Sequence, residues 1–255
     1  MSMATFWHAT VGVAVRVTAL AFLAALTSSS FAATIVLEQG DSVKLDQLVG
    51  PGGDSILVGD KLFDNFEFGV APLSAPFDVT ADEVTVTGIF SPDGSFGISF
   101  LGGFVDFAID DNQVVYSIEF DVTATDPDFL ISAVELTADP RVDSGTPGLA
   151  QVTEDIFVGG TTINLGTLQT EDTSSPGPAT LIDEVTLAVP QSTLSIDKSI
   201  LLLATDGGPL GTSGNSSVTL IDQVFRQVLI PEPSTSCLLA IATGVCVTRR
   251  RAMRS

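Results

Sequence analysis

Along residues 34–229 apolar and polar positions alternate with a period of two. The clearest run is VVYSIEFDVTA. In it Val114, Tyr116, Ile118, Phe120 and Val122 share one face, and Ser117, Glu119, Asp121 and Thr123 share the other. That spacing is the signature of a half-buried strand. The same alternation marks EVTVTGIF (83–90), SFGISF (95–100), DEVTLAV (183–189) and TLSIDKSI (193–200). Turn chemistry separates the runs, as at Pro92-Asp93-Gly94, Asp126-Pro127-Asp128 and Asp206-Gly207-Gly208-Pro209. The pattern predicts an all-β domain over residues 33–229, an antiparallel, jelly-roll-like β-sandwich with one face of each sheet wet. One short helix is expected near the start of the domain, over Asp41–Val49, ended by Gly50-Pro51-Gly52-Gly53. Phe63, Phe66, Phe68, Phe96, Phe100 and Phe120 are the expected large inward side chains.

Both ends break the alternation. Residues 1–32 carry one charge, Arg16, then a ten-residue apolar core from Val17 to Leu26, then small residues up to Ala32 and Ala33. This is the layout of a secretory signal peptide, cut by signal peptidase after Ala32 or Ala33. Residues 230–255 begin with Pro231-Glu232-Pro233, a stiff extended tripeptide that loses little entropy on docking. An apolar run from Cys237 to Val247 follows, then Arg249, Arg250 and Arg251. As a helix, the stretch from Ser234 to Thr248 reaches roughly 22 Å, less than the hydrocarbon core of about 30 Å. The arginines would hold their end in the cytoplasm. Both ends are expected to be hydrophobic targeting helices, the second holding the chain at a membrane only in passing.

Pro231-Glu232-Pro233, the short apolar segment and Arg249–Arg251, in that order, resemble the PEP-CTERM sorting signal of bacterial surface proteins. The stretch VGDKLFDNF (58–66) resembles bodies found on such proteins. The resemblance implies a membrane-embedded, exosortase-like processing enzyme that recognises Pro231, Glu232 and Pro233 and removes the tail. It also implies delivery to the cell surface and association with exopolysaccharide. It implies no activity for the body.

Charge and composition narrow the chemistry. The body holds five basic residues (Lys44, Lys61, Arg141, Lys198 and Arg226) against 30 acidic ones, a net charge of −25. Such a surface repels nucleic acid and attracts Ca²⁺ or basic partners. His8, Trp7, Cys237 and Cys246 are the only residues of their types, and all lie in the ends. The body therefore offers no Ser-His-Asp or Cys-His machinery, no thiolate or imidazole zinc site and no disulfide. Carboxylates remain. Asp106, Asp110 and Asp111, with Asp126 and Asp128, flank the strongest strand and are the candidate ligands of a structural Ca²⁺ site. They and the Glu154–Asp155 pair are also the local candidates for a glycosidase carboxylate pair. The expected function is that of a secreted, non-enzymatic surface or extracellular-matrix protein. The alternatives are a Ca²⁺-assisted carbohydrate-binding module and a carboxylate-dependent glycosidase.

Overall fold

A computed structural model of the chain describes residues 32–72, 79–107, 113–143, 147–173, 178–205 and 214–230. The expected targeting helices at both ends, Asp110, Asp111 and the motif residues Pro231 to Arg251 lie outside the described residues. Within them the fold is all-β. The strands are β1 (Thr34–Leu37), β2 (Ser42–Lys44), β3 (Ser55–Val58), β4 (Lys61–Pro72), β5 (Thr85–Phe90), β6 (Phe96–Phe107) and β7 (Gln113–Ala124). They continue as β8 (Phe129–Ala138), β9 (Arg141–Val142), β10 (Gly148–Val158), β11 (Asn164–Thr173), β12 (Ile182–Gln191), β13 (Thr193–Ala204) and β14 (Asn215–Leu229).

Two sheets stack as a sandwich. The first has the order β1-β3-β4-β7-β13-β10-β11, the second β12-β8-β14-β6-β5-β2, with β9 paired to β14. Pairing is antiparallel except between β1 and β3. The chain crosses repeatedly from sheet to sheet, so most central neighbours are distant in sequence. The expected helix at Asp41–Val49 is smaller than predicted: β2 and a single 3-10 turn, Leu45–Gln47, occupy it. One such turn puts residues three apart on one face. That suffices to bury Leu45 and Leu48, while β2 pairs with β5.

The core joins the sheets through aromatic contacts. Phe66 stacks on Phe120 at 5.4 Å, Phe63 meets Phe225 at 5.7 Å, and Phe100 meets Phe120 at 5.9 Å. Phe63, Phe66, Phe100 and Phe120 are inside as expected, whereas Phe68 and Phe96 are half-buried against the core's margin. Strict alternation would place Phe63 and Phe66 on opposite faces of β4. A β-bulge resolves the conflict. Asp64 pairs with Asp121 and Glu67 with Glu119, so Asn65 and Phe66 together oppose one residue of β7. Asn65 is the non-glycine residue at positive φ, 55°, among those described. Asparagine tolerates this left-handed conformation better than most side chains.

Polar groups also enter the core. Lys198 of β13, Glu154 of β10 and Gln223 of β14 are fully buried. Lys198 Nζ donates to Glu154 Oε2 and to Gln223 Oε1. Lys61 of β4 is buried too, donating to Asp60 Oδ1 at 2.6 Å and to Gln227 Oε1. Burial lowers the pKa of both lysines, that of Lys198 strongly.

The bulge yields a direct test. Deleting Asn65 removes the extra residue and restores strict alternation with Phe63 and Phe66 both inward, so the loss of stability should stay well below the roughly 3–5 kcal/mol of a lost core Phe. Asn65→Val, β-branched at positive φ, is expected to lose about 1–2 kcal/mol. Asn65→Gly should lose less than Asn65→Val. Urea unfolding of the three variants checks this ranking.

Candidate functional site

Strand alternation sends every second residue of the first sheet outward, and register then lines up residues far apart in sequence. Glu67 pairs with Glu119, Glu119 with Asp197, and Asp197 with Asp155. Four carboxylates thus stand side by side across β4, β7, β13 and β10. In the next row Asp64 faces Asp121, and Asp121 faces Ser195. On the other side lies a neutral row of Gly69, Ser117, Ser199 and Thr153.

Like charges directly opposite one another in a sheet repel. The second sheet shows how the molecule handles such a pair elsewhere. Glu135 faces Glu184 there, and the Arg226 guanidinium answers both, at 2.6 Å and 3.4 Å. Among the described residues no such cation serves the first sheet. Lys61 and Lys198 are buried between the sheets, and Lys44, Arg141 and Arg226 sit on strands of the second. The electrostatics follow. Partial burial, then Asp121, raises the Asp64 pKa. Partial burial, then Asp197 and Glu67, raises that of Glu119. Partial burial, then Asp155, raises that of Asp197.

The bulge shapes this face. Asn65 Nδ2 donates to Asp121 Oδ2 at 2.8 Å, and Ser195 Oγ donates to Asp121 Oδ1. Both oxygens of Asp121 are therefore engaged, and the three side chains hold one another in place. They border two adjoining shallow depressions. One, of about 660 Å³, lies between Asn65 and Asp121 on one side and Val49, Gly50 and Pro51 on the other. The other, of about 260 Å³, extends over Glu119 and Asp197 to Phe157. Asp155 continues the polar surface, accepting from Asn164 Nδ2 at 3.2 Å and from Thr167 Oγ1.

The sequence candidates fall elsewhere. Asp106 is buried at the end of β6, where it accepts the Ala204 N–H at 2.9 Å. Burial raises its pKa. Asp126 caps the turn after β7 by accepting the Asp128 N–H at 2.9 Å. The expected convergence of Asp106 with Asp126 and Asp128 does not occur. The twelve residues of β7 lie between them, and a strand of that length spans roughly 40 Å. Among the described residues no group of three or more His, Cys, Asp or Glu side chains is gathered to hold a metal ion. Glu154 and Asp155 also separate: alternation turns Glu154 into the core and Asp155 outward. A glycosidase pair flanks the scissile bond from two sides. The row on the first sheet instead presents its carboxylates in parallel from one surface.

No family model matches the chain, and no curated protein matches it. Among solved structures, one similar chain is TmCBM61 in complex with β-1,4-galactotriose, at 9% identity, covering 62% of this chain and 88% of that one, with a TM-score of 0.29. Another is the family 32 carbohydrate-binding module of C. perfringens NanJ in complex with galactose, at 13% identity, covering 61% and 93%, with a TM-score of 0.21. Trichoderma harzianum endoglucanase 3 of family GH12 matches at 10% identity, covering 63% and 98%, with a TM-score of 0.24.

The raised carboxylates set a pH test. A carboxylate whose pKa is raised by folding binds more protons folded than unfolded, so it weakens the fold as pH rises through that window. Asp197→Asn removes two cross-strand repulsions and should stabilise the domain at pH 7 by about 0.2–1 kcal/mol for each pair relieved. Below the ordinary carboxylate range both forms are neutral and the gain should vanish. Thermal unfolding of the two proteins across pH measures the difference.

Proposed function

We propose that the protein is an exported, non-enzymatic surface or extracellular-matrix component whose first sheet holds polysaccharide. One observation carries this reading: the uncompensated polar face around Asn65, Asp121 and Ser195. Its side chains are pre-positioned by mutual hydrogen bonds, and it is open along the sheet. Carboxylate, amide and hydroxyl groups of this kind accept from and donate to sugar hydroxyls, and a fixed arrangement reduces the ordering cost of binding. An open polar face suits one stretch of a long chain better than a small molecule, which favours an enclosed, mostly apolar pocket. Uncharged glycans fit it directly. Anionic ones need a divalent ion between, and Ca²⁺, with its preference for carboxylate oxygen, is the natural bridge.

Export belongs to the same proposal. The chain enters the fold at Ala33, whose N–H donates to Asp54 Oδ1 at 2.8 Å. Cleavage after Ala32 would turn that donor into an ammonium beside a carboxylate, which favours this cut over one after Ala33. At the other end, Ile230 N–H donates to the Asp128 carbonyl at 2.8 Å, and Val228, Leu229 and Ile230 are exposed. The residues just before Pro231, Glu232 and Pro233 thus lead out of the sandwich, as presentation to an exosortase-like enzyme would need. Arg249, Arg250 and Arg251 would leave with the tail.

Two measurements test this. On a glycan array, the protein should retain neutral polysaccharide with chelator present and anionic polysaccharide only with added Ca²⁺. The Asp121→Ala variant should lose about tenfold or more of the neutral binding, in keeping with one or two lost hydrogen bonds that include a charged acceptor. Unchanged binding by that variant would remove the face from consideration. Separately, the intact mass of the extracellular protein should correspond to a chain beginning at Ala33 and lacking Arg249–Ser255; a species retaining that end would refute the processing.

A further inference from the structure

The buried polar triad of the core is not needed for the proposed face, and its composition is chemically active. Lys198 Nζ is a nucleophile in contact with a carboxamide carbonyl, that of Gln223, and with a carboxylate, that of Glu154. All three side chains are fully buried. Lysine and glutamate come from neighbouring strands of the first sheet, where they are a direct cross-strand pair. Glutamine comes from β14 of the second. We propose that Lys198 Nζ and Gln223 Cδ condense into an amide bond that ties β13 to β14 across the sandwich, with Glu154 moving the protons.

The step balances without any co-reactant. The Lys198 ammonium passes a proton to the Glu154 carboxylate and becomes an amine. The amine lone pair forms a bond to Gln223 Cδ while Glu154, now protonated, donates to the developing oxyanion. When the tetrahedral centre collapses, the bond from Cδ to Nε2 breaks. The departing nitrogen takes one proton from Nζ and one from Glu154 and leaves as ammonium. Lysine ammonium plus carboxamide has become secondary amide plus ammonium, with no change of oxidation state.

Four features of the site favour the reaction. Burial disfavours the charged lysine, which favours passing its proton to Glu154. Glu154 Oε1 has no hydrogen-bond partner, so that oxygen is free to shuttle a proton. The Gln223 amide is held by its Nε2–H donating to the Glu135 carbonyl at 3.2 Å, which fixes the carbonyl group toward Lys198. Fixed neighbours in a dry site gain the large effective concentrations of intramolecular reactions, and escape of ammonia into bulk water makes the step one-way. Gln223 is the acyl donor rather than Glu154, because consuming Glu154 would leave the site without its base.

A second lysine provides an internal contrast. Lys61 also touches a carboxylate and a β14 glutamine, Asp60 and Gln227. There the side chain of Asp60 is 18% exposed and Gln227 is half-buried. Asp60 also holds the lysine charged through a hydrogen bond and its nearby charge, against the pull of burial. Lys61 therefore stays a hydrogen-bonded ion pair.

Mass spectrometry of the full chain tests this directly. The purified protein should weigh less than its sequence by one ammonia. Trypsin should fail to cut after Lys198, and tandem spectra of the resulting peptide from Val142 to Arg226 should show Lys198 bonded to Gln223, while Lys61 and Gln227 peptides remain separate. Glu154→Ala, checked for β-sheet by circular dichroism, should restore the full mass. An unlinked Lys198 in the folded wild-type protein would overturn the proposal whatever the variants do. So would loss of water with Lys198 joined to Glu154.

Discussion

Everything in this molecule depends on each strand keeping one side dry. Side chains alternate along a strand, so a slip of one residue would exchange the whole buried set for the whole wet set. The fold meets that constraint with long alternating strands and, where the alternation breaks, with irregularities such as the inserted residue of β4. Asn65 absorbs the extra step, keeps Phe63 and Phe66 on the same side, and in doing so stands proud of the sheet beside Asp121. The same local distortion preserves the core and creates the polar relief of the outer face. Structure and the proposed binding surface are therefore not separable at this position.

Much of the fold was legible in the sequence because alternation is a local property. The run from Val114 to Val122 became β7, and TLSIDKSI became the start of β13, with the expected residues inside. The small turn at Leu45 was less legible, since the same short apolar spacing fits one turn or two. The site was hardly legible at all. Glu67, Glu119, Asp197 and Asp155 come from four separate strands, and only the pairing register reveals that they meet. A single sequence carries no register. The proximity of Asp106 to Asp126 along the chain was misleading for the complementary reason: a full strand lies between them.

The buried triad did have a local signal. Lys198 falls between Ile196 and Ile200 on the apolar phase of β13, Glu154 between Val152 and Ile156 on that of β10, and Gln223 between Ile221 and Phe225 on that of β14. A polar residue at an inward phase is either a defect or part of a network, because an unpaired buried polar group is costly. Three such residues on three strands, complementary in chemistry, imply one network. The lysines drawn inside are also cations withheld from the surface, which helps explain why, among the described residues, the first sheet's acidic face has none.

The position of β14 has a mechanical consequence. It is the last strand before the proposed sorting tail and also the longest, at fifteen residues, lying between β8 and β6 in the middle of the second sheet. Any pull transmitted through Ile230 acts along that strand and loads both flanking hydrogen-bond ladders lengthwise. Bonds loaded in this direction must give way together, whereas those of a peripheral strand such as four-residue β1 can give way in small numbers. The chain would thus transmit tension at its C-terminal end through the element best suited to bear it.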